Sequence, residues 1–388
     1  MLVTLAGVLI GLAILVMLVV VHELGHALVA KRHGVVVEEF GIGFPPRAKK
    51  WQPAQSFLGK KVTFSLNWLP LGGFVRLKGE YDAARGQGSY GSASFWVKTK
   101  ILLAGVAMNW LTAVVLFTVL ALVGMPKLLP HQVTLPFDTV VSRAPLTVMQ
   151  LQVDSPAAKS GLKKGDQLIS INHTPVTTAN DLRQLTERLK GQTVTVRYSR
   201  QGSQQQIITT LNTPQQAQRQ GYLGVVSGQP ETIRSTWSAP LAGVATTGQL
   251  TYETVKGLGD TLSKTWTGLV GQFAGSPAAT QAARADLASA GKNVAGPIQI
   301  LGVLFPSVID AGWTQVVLLA AIISLTLAVM NILPIPALDG GRWFTMAGFR
   351  LFRKELTQRR EEIVQTVGLL LLLLLTLVVT YNDIKKFF

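Results

Sequence analysis

The chain has 388 residues, of which 48% are hydrophobic and only 14% charged, and its formal net charge is +16. A mean hydropathy of +0.34 excludes a disordered polyelectrolyte and is high for a water-soluble protein of this size. The absence of cysteine excludes a disulfide framework, so any metal site has to be built from histidine and carboxylate.

Four uncharged stretches, Leu2 to Val21, Ile101 to Met125, Val316 to Leu333 and Val367 to Thr380, approach or reach the ~20 apolar residues that cross a bilayer. They predict a polytopic α-helical membrane protein with about four transmembrane helices. Residues 1–30 lack a basic start and a small-residue cleavage site, so they read as a retained helix and not as a signal peptide. That helix ends in the word His22-Glu23-Leu24-Gly25-His26. Histidines four residues apart lie one turn above each other on one helix face, where they can share one Zn²⁺ with Glu23 beside it as a general base. Such a short word also recurs in unrelated chains, where its histidines merely hydrogen-bond to neighbours. At 1.5 Å per residue the pair lies ~30 Å along the first helix, and His33 sits ~10 Å beyond His26, too far to join the same ion.

Between the first two spans lie Lys31, Arg32, Arg47, Lys49, Lys50, Lys60, Lys61, Arg76, Lys78 and Arg85, and after the third come Arg350, Arg353, Lys354, Arg359 and Arg360. The positive-inside rule makes both segments cytoplasmic and puts both termini and the long middle section outside. This distribution explains the charge through the membrane, and no nucleic-acid partner is expected.

Residues 31–99 form the first cytoplasmic segment. Val62 to Trp68 and Phe74 to Lys78 alternate apolar and polar residues on either side of Leu69-Pro70-Leu71-Gly72-Gly73, which reads as a β-hairpin. Its apolar tip suits either packing on the domain or entry into the membrane beside the metal, with Phe64, Leu66 and Gly73 on an edge offered to an extended substrate. The second span, 100–125, carries Gly105, which reads as a packing residue, and Asn109, a polar group at membrane depth that needs a partner.

Residues 126–228 leave the membrane. The run Ser155 to Asn172, containing Gly161-Leu162-Lys163-Lys164-Gly165-Asp166-Gln167-Leu168-Ile169-Ser170-Ile171-Asn172, reads as a capped short helix, a glycine turn and a strand. A polar helix from Thr178 to Leu189 and strands Thr193 to Tyr198 and Gln206 to Leu211 follow. This region resembles a PDZ domain. The resemblance implies that Tyr222-Leu223-Gly224-Val225 is the loop that cradles a peptide carboxylate, as in a circularly permuted bacterial PDZ; a domain that only blocks access to the membrane site is the alternative. His173 reads as a solvated turn residue. Residues 229–312 read as an amphipathic membrane-surface segment, with helices over Tyr252 to Val270 and a mobile loop over Gly275 to Asn293.

The third transmembrane segment, 313–345, ends in Asn331-Ile332-Leu333-Pro334-Ile335-Pro336-Ala337-Leu338-Asp339-Gly340-Gly341. Two prolines and a glycine pair break the helix just before a lone carboxylate, and broken helix at membrane depth is tolerated only where it lines a cavity. The topology brings Asp339 to the same side as His22 and His26. Two histidines and one aspartate leave a fourth zinc position open, the pattern of a catalytic site. Residues 346–388 hold a cytoplasmic loop and the fourth transmembrane helix.

Taken together, the His-Glu-x-x-His word, the apolar hairpin, the PDZ-like insertion, Gly296-Pro297-Ile298 and Asn331-x-x-Pro334-x-Pro336-x-Leu338-Asp339-Gly340-Gly341 resemble the site-2 protease family of intramembrane zinc metalloproteases. The likeness is to its bacterial, RseP-type branch, although only one PDZ-like segment is visible and Val106 stands where members carry proline. The resemblance implies hydrolysis of peptide bonds inside transmembrane segments, with Zn²⁺ on His22, His26 and Asp339 and with Glu23 moving the proton from water to the leaving amine. It further implies substrate contacts at Asn331 and Pro334, single-span membrane substrates such as anti-sigma factors after a first cleavage, and a place in the bacterial inner membrane. Two other classes fit parts of the pattern: a membrane-anchored zincin that cuts outside the bilayer, and a non-catalytic PDZ receptor.

Overall fold

The computed structural model describes residues 2–272, 280–282 and 296–387. Its contacts divide the chain into two compact units, one of residues 1–120 and 239–388 and the other of residues 121–238.

In the first unit helix α1, Leu2–Arg32, is apolar for most of its length. Glycine at position 25 lets it approach the next helix closely, since a Cβ there would lie 2.5 Å from the Ala104 carbonyl oxygen. Strands β1, Val37–Trp51, and β2, Thr63–Leu77, follow and pair with each other. The sequence reading has the two arms of β2 pairing across the Leu69–Gly73 turn, and the structure corrects this. Residues 39–42 of β1 lie between the arms, with Phe40 registered against Phe64 on one side and Val75 on the other. A strand has only two edges, and the 63–66 arm uses both, since Ser65 is registered against Gly41 and also against Lys50. The sheet packs its Phe40 and Leu77 side chains, with Val62 just before β2, against Ala27 and Ala30 of α1 and Ile101. Ile101 belongs to helix α2, Phe95–Val123, which starts five residues before the predicted span.

The second unit holds a six-stranded sheet and a three-stranded one. Val140–Arg143 (β3) pairs with Glu231–Arg234, which also pairs with Met125–Pro126. Thr147–Leu151 (β4) leads to the short helix α3, Pro156–Lys159, whose Ser155 cap accepts from the Ala158 amide. Gln167–Ile171 (β5), helix α4, Ala179–Arg188, and β6, Thr193–Arg200, fall where the sequence predicts them, with Thr178 and Asp181 closing a capping box on α4; β7, Ser203–Thr210, which forms a hairpin with β6, starts three residues before the predicted strand. Helix α5, Pro214–Gln220, precedes β8, Val225–Gly228, which returns to pair with β4. The sheet order is β7-β6-β5-β4-β8, with Thr174–Pro175 paired to β5. Leu146, Val148, Leu168, Ile171, Val196 and Leu223 are among the side chains of its own core. His173 lies in a turn with φ +71°, as its sequence context predicts.

The chain re-enters the first unit in α6, Ala239–Gly271, a single 33-residue helix where the sequence reading has separate helices from Tyr252. Its first half is held on α2, where Trp110 Nε1 donates to Thr251 Oγ1 at 3.2 Å, and beyond it Tyr252, Leu262 and Trp266 are exposed. The loop expected over Gly275 to Asn293 falls almost wholly outside the described residues. Helix α7, Phe305–Asp310, lays Pro306 and Phe305 on Gly7 and Gly11 of α1. Then come α8, Trp313–Ile332, α9, Asp339–Leu351, and α10, Gln358–Phe387. Among the described residues four helices, α1, α2, α8 and α10, are long and apolar enough to cross a membrane.

Candidate metal centre

Helix α8 stops at Ile332 because Pro334 and Pro336 have no amide proton to continue it. The free groups of the break are satisfied locally: Ile335 N donates to the Leu333 carbonyl at 2.8 Å, and Ala337 N donates to Gln365 Oε1 of α10 at 2.7 Å. Ala337 takes a left-handed φ of +74°, which turns the chain into α9 with Asp339 as its first residue. Gly340 and Gly341 let that first turn fold back onto the break. A Cβ on Gly341 would collide with the Ile335 carbonyl, and one on Gly340 would collide with that of Ile332.

This fold-back sets Asp339 against α1. Its Oδ2 lies 2.9 Å from His22 Nε2 and 3.2 Å from His26 Nε2, and the two Nε2 atoms are 3.1 Å apart. Both histidines are buried. Among the described residues these three side chains are the group of histidines and acids whose ligating atoms converge closely enough for one ion. Their chemistry suits a cation. His26 Nδ1 lies 2.7 Å from the Ile101 carbonyl and donates to it, which leaves a lone pair on Nε2. Asp339 Oδ2 is buried with no hydrogen bond of good geometry, and it faces only the two imidazoles. Asn109, buried in α2, places its side-chain amide 3.4 Å from His22 Nδ1 while its Oδ1 has no partner. Exchanging the two ends of that amide lets Oδ1 accept the Nδ1 proton and frees His22 Nε2 as a ligand. Tetrahedral zinc with bonds of about 2.0–2.1 Å holds its ligand atoms about 3.3 Å apart, close to the spacing seen here.

Glu23 points from the same turn of α1 to the sheet, where its Oε2 accepts the Val75 amide at 3.1 Å. Lys78 N donates to Val36 on the β1 side, so Val75 N, three residues away, belongs to the opposite edge of the strand. Gly73 lies beside the same carboxylate, with its Cβ position 3.8 Å from Glu23 Cγ.

The remaining predicted residues are more dispersed. Phe64 stacks on Trp51 at 5.6 Å between centroids and so contributes to packing, while Leu66 is exposed. Asn331 Nδ2 donates to the Leu327 carbonyl of its own helix at 3.0 Å, and Pro334 is exposed in the break. In the second unit Tyr222, Leu223, Gly224 and Val225 border a groove of about 510 Å³, with Leu182 and Arg183 of α4 on its other wall. His33, by contrast, turns back to the Val29 carbonyl at 2.9 Å.

Three contributors escape sequence reasoning. The Ile101 carbonyl and Val75 amide are backbone groups, which carry no residue signature. Gly105 is visible as a small residue, but only the fold shows why it matters: a Cβ there would lie 2.6 Å from His22 Cε1 and 2.7 Å from His22 Nε2, and would overlap His26 Nε2.

A model described as peptidase family M50 matches residues 10–375. Zinc metalloprotease RasP of Geobacillus kaustophilus is 27% identical over 452 residues, covering 96% of this chain and 96% of that protein. A Clostridium acetobutylicum protein whose name places it among the zinc metalloproteases is 31% identical over 368 residues, covering 95% of this chain and 94% of that one. Among solved structures, the PDZ domain of an SdrC-like protein from Listeria monocytogenes aligns at 22% identity with a TM-score of 0.19, covering 21% of this chain and 86% of that one.

Proposed function

The chain belongs to peptidase family M50 and is a zinc metalloprotease of a membrane-embedded family, and from that premise we propose that it hydrolyses peptide bonds within transmembrane segments of other membrane proteins. The observation that carries this reading is the place of the candidate centre. His22, Glu23 and His26 are on a helix long and apolar enough to cross a membrane, and Asp339 follows the break of another. Ionisable groups are costly at that depth and are kept there for function.

In this reading His22, His26 and Asp339 hold the zinc. The ion supplies Lewis acidity, which polarises a carbonyl and makes water a better nucleophile near neutral pH. Glu23 takes one proton from the attacking water as the new C–O bond forms, then delivers it to the amide nitrogen as the C–N bond breaks. A substrate helix hides its backbone bonds and has to unwind before attack. The outer edge of residues 73–77, already in contact with Glu23, can hold the unwound segment as an added strand. Asn331, in the last turn of α8, and Pro334, exposed in the break, are proposed as further substrate contacts, and Phe64 and Leu66 belong to the sheet that presents the edge.

The distribution of lysine and arginine supports a bacterial inner-membrane protein with both termini and the second unit outside the cytoplasm. Single-span proteins, such as anti-sigma factors shortened by an earlier cleavage, fit as substrates, and the groove at Tyr222 to Val225 fits capture of a newly made chain end.

The test is cleavage of a model single-span substrate by the purified protein in lipid, with the cut located by mass spectrometry. A cut inside the span that disappears with Glu23→Gln is the expected result. A cut mapped outside the span would overturn the intramembrane reading and favour a membrane-anchored zincin.

A further inference from the structure

We propose that the first unit carries a binding site for the phosphate group of an anionic phospholipid, in a cavity between the start of α2, the end of α9 and the chain leading into α10. The cavity has a volume of about 320 Å³ and is lined by Arg85, Lys98, Arg350 and Lys354, with Asp82 and Glu355 as its acids. Lys98 neutralises Asp82 at 2.5 Å. That leaves Arg85, Arg350 and Lys354 against Glu355, a surplus of two positive charges, with Arg85 Nη1 held by the Asp82, Ala83 and Ala84 carbonyls at 3.1–3.4 Å. No carboxylate among the described residues forms an ion pair with any of those three cations. The Arg350 guanidinium lies over the Phe95 ring at 5.1 Å, which holds it in the lining without using its N–H donors. Ser94 and Thr357 add hydroxyls to the lining.

The surroundings favour a lipid over a soluble anion. Phe95, Met346, Phe349 and Leu356 give the cavity an apolar wall, which a hydrated phosphate does not need. Next to it Trp96, Phe344, Leu351 and Phe352 are exposed, with Leu351 at 78% and Phe352 at 73%. Large apolar side chains exposed together at the start of a membrane-crossing helix, as Trp96 is, and along a short amphipathic one, as Phe344 and Leu351 are, mark the headgroup level of the bilayer. A basic pocket opening beside such a rim can take the phosphate of a lipid whose acyl chains lie along the rim. The site is separate from the metal centre and does not depend on where in a substrate the enzyme cuts.

The experiment uses the full chain, stripped of lipid in neutral detergent and titrated with phosphatidylglycerol or phosphatidylcholine, with bound lipid counted by native mass spectrometry. The expected result is one retained phosphatidylglycerol, preferred over phosphatidylcholine. In the Arg350→Gln/Lys354→Gln variant the preference falls roughly 30-fold, the effect of two surface cations. Both side chains are exposed, so the variant keeps its fold. Arg353→Gln/Arg359→Gln, which removes two exposed charges outside the cavity, keeps the preference. Equal retention of the two lipids by the unaltered chain would overturn the proposal. So would an equal loss in both double variants, which would mean general charge attraction, or displacement by millimolar inorganic phosphate, which would assign the cavity to a soluble anion.

Discussion

Asp339 and the two histidines meet within 3.2 Å with no proton donor of good geometry between them, so each is expected to matter to metal retention and not only to turnover. Asp339→Ala is expected to lose zinc by elemental analysis of the purified membrane protein. Glu23→Gln keeps the ligand set intact. It should retain zinc while turnover falls by roughly 10²–10⁴, the usual contribution of a general base; an active Glu23→Gln protein would refute the assigned role. Gly105→Ala makes a subtler test, because alanine has no reactive group. Its methyl group would push against both imidazoles, so reduced zinc occupancy with a normal fold is the expected outcome.

At the scale of elements, the centre depends on the break between α8 and α9 staying folded back. Gly341→Ala places a methyl group on the Ile335 carbonyl, and the backbone there has no flexible side chain to move aside. Loss of both thermal stability and zinc is expected, because Asp339 lies two residues away. One turn beyond Asp339, Arg342 Nε donates to Glu361 Oε1 of α10 at 3.0 Å, and the other Glu361 oxygen accepts the Asp82 amide at 2.8 Å. Glu361 is buried and Arg342 only partly so. Glu361→Gln should therefore cost less than the about 3–5 kcal/mol of a fully buried pair, measured as a lower melting temperature. The β1 and β2 strands show the same dependence on partners. Inserting residues 39–42 between the arms leaves the 73–77 arm with an outer edge, and that edge meets Glu23.

The whole molecule combines a membrane-type unit with a second unit that has its own core and its own ion pairs. In the second unit burial would raise the Asp166 carboxyl, but the Arg200 guanidinium at 2.7 Å and the Lys163 amide hold it below the ordinary carboxylate range. A carboxyl lowered in the folded state stabilises fully above its unfolded value of about 4 and loses that stabilisation as pH falls through the folded value. Calorimetry of the full chain should therefore show the second unit's transition dropping between about pH 4 and more acid conditions. Asp166→Asn should be less stable at neutral pH and should lose most of that acid dependence. Asp138 offers a contrast in the same unit. The Ser238 and Thr236 hydroxyls hold its carboxyl down to about 2, in a half-buried position open enough to solvent for screening to keep the contribution to stability small.

The sequence by itself determined whatever depends on local spacing and side-chain chemistry. Four apolar runs of membrane length, histidines one turn apart with a glutamate between them, and a helix broken before an aspartate are each legible within a dozen residues. The strands from Gln167 to Thr210 were legible for the same reason, through alternation and capping residues. Only the tertiary structure decided which strand lies beside which, because β1 reaches both arms of β2 through pairings that no short window contains. It also decided the partners of the charged side chains at the site: the Ile101 carbonyl behind His26, the Val75 amide against Glu23, and the space left by Gly105. Two of these are backbone groups and the third is an absent side chain. None has a chemical identity of its own in the sequence, so their roles come entirely from the elements that the packing brings against them.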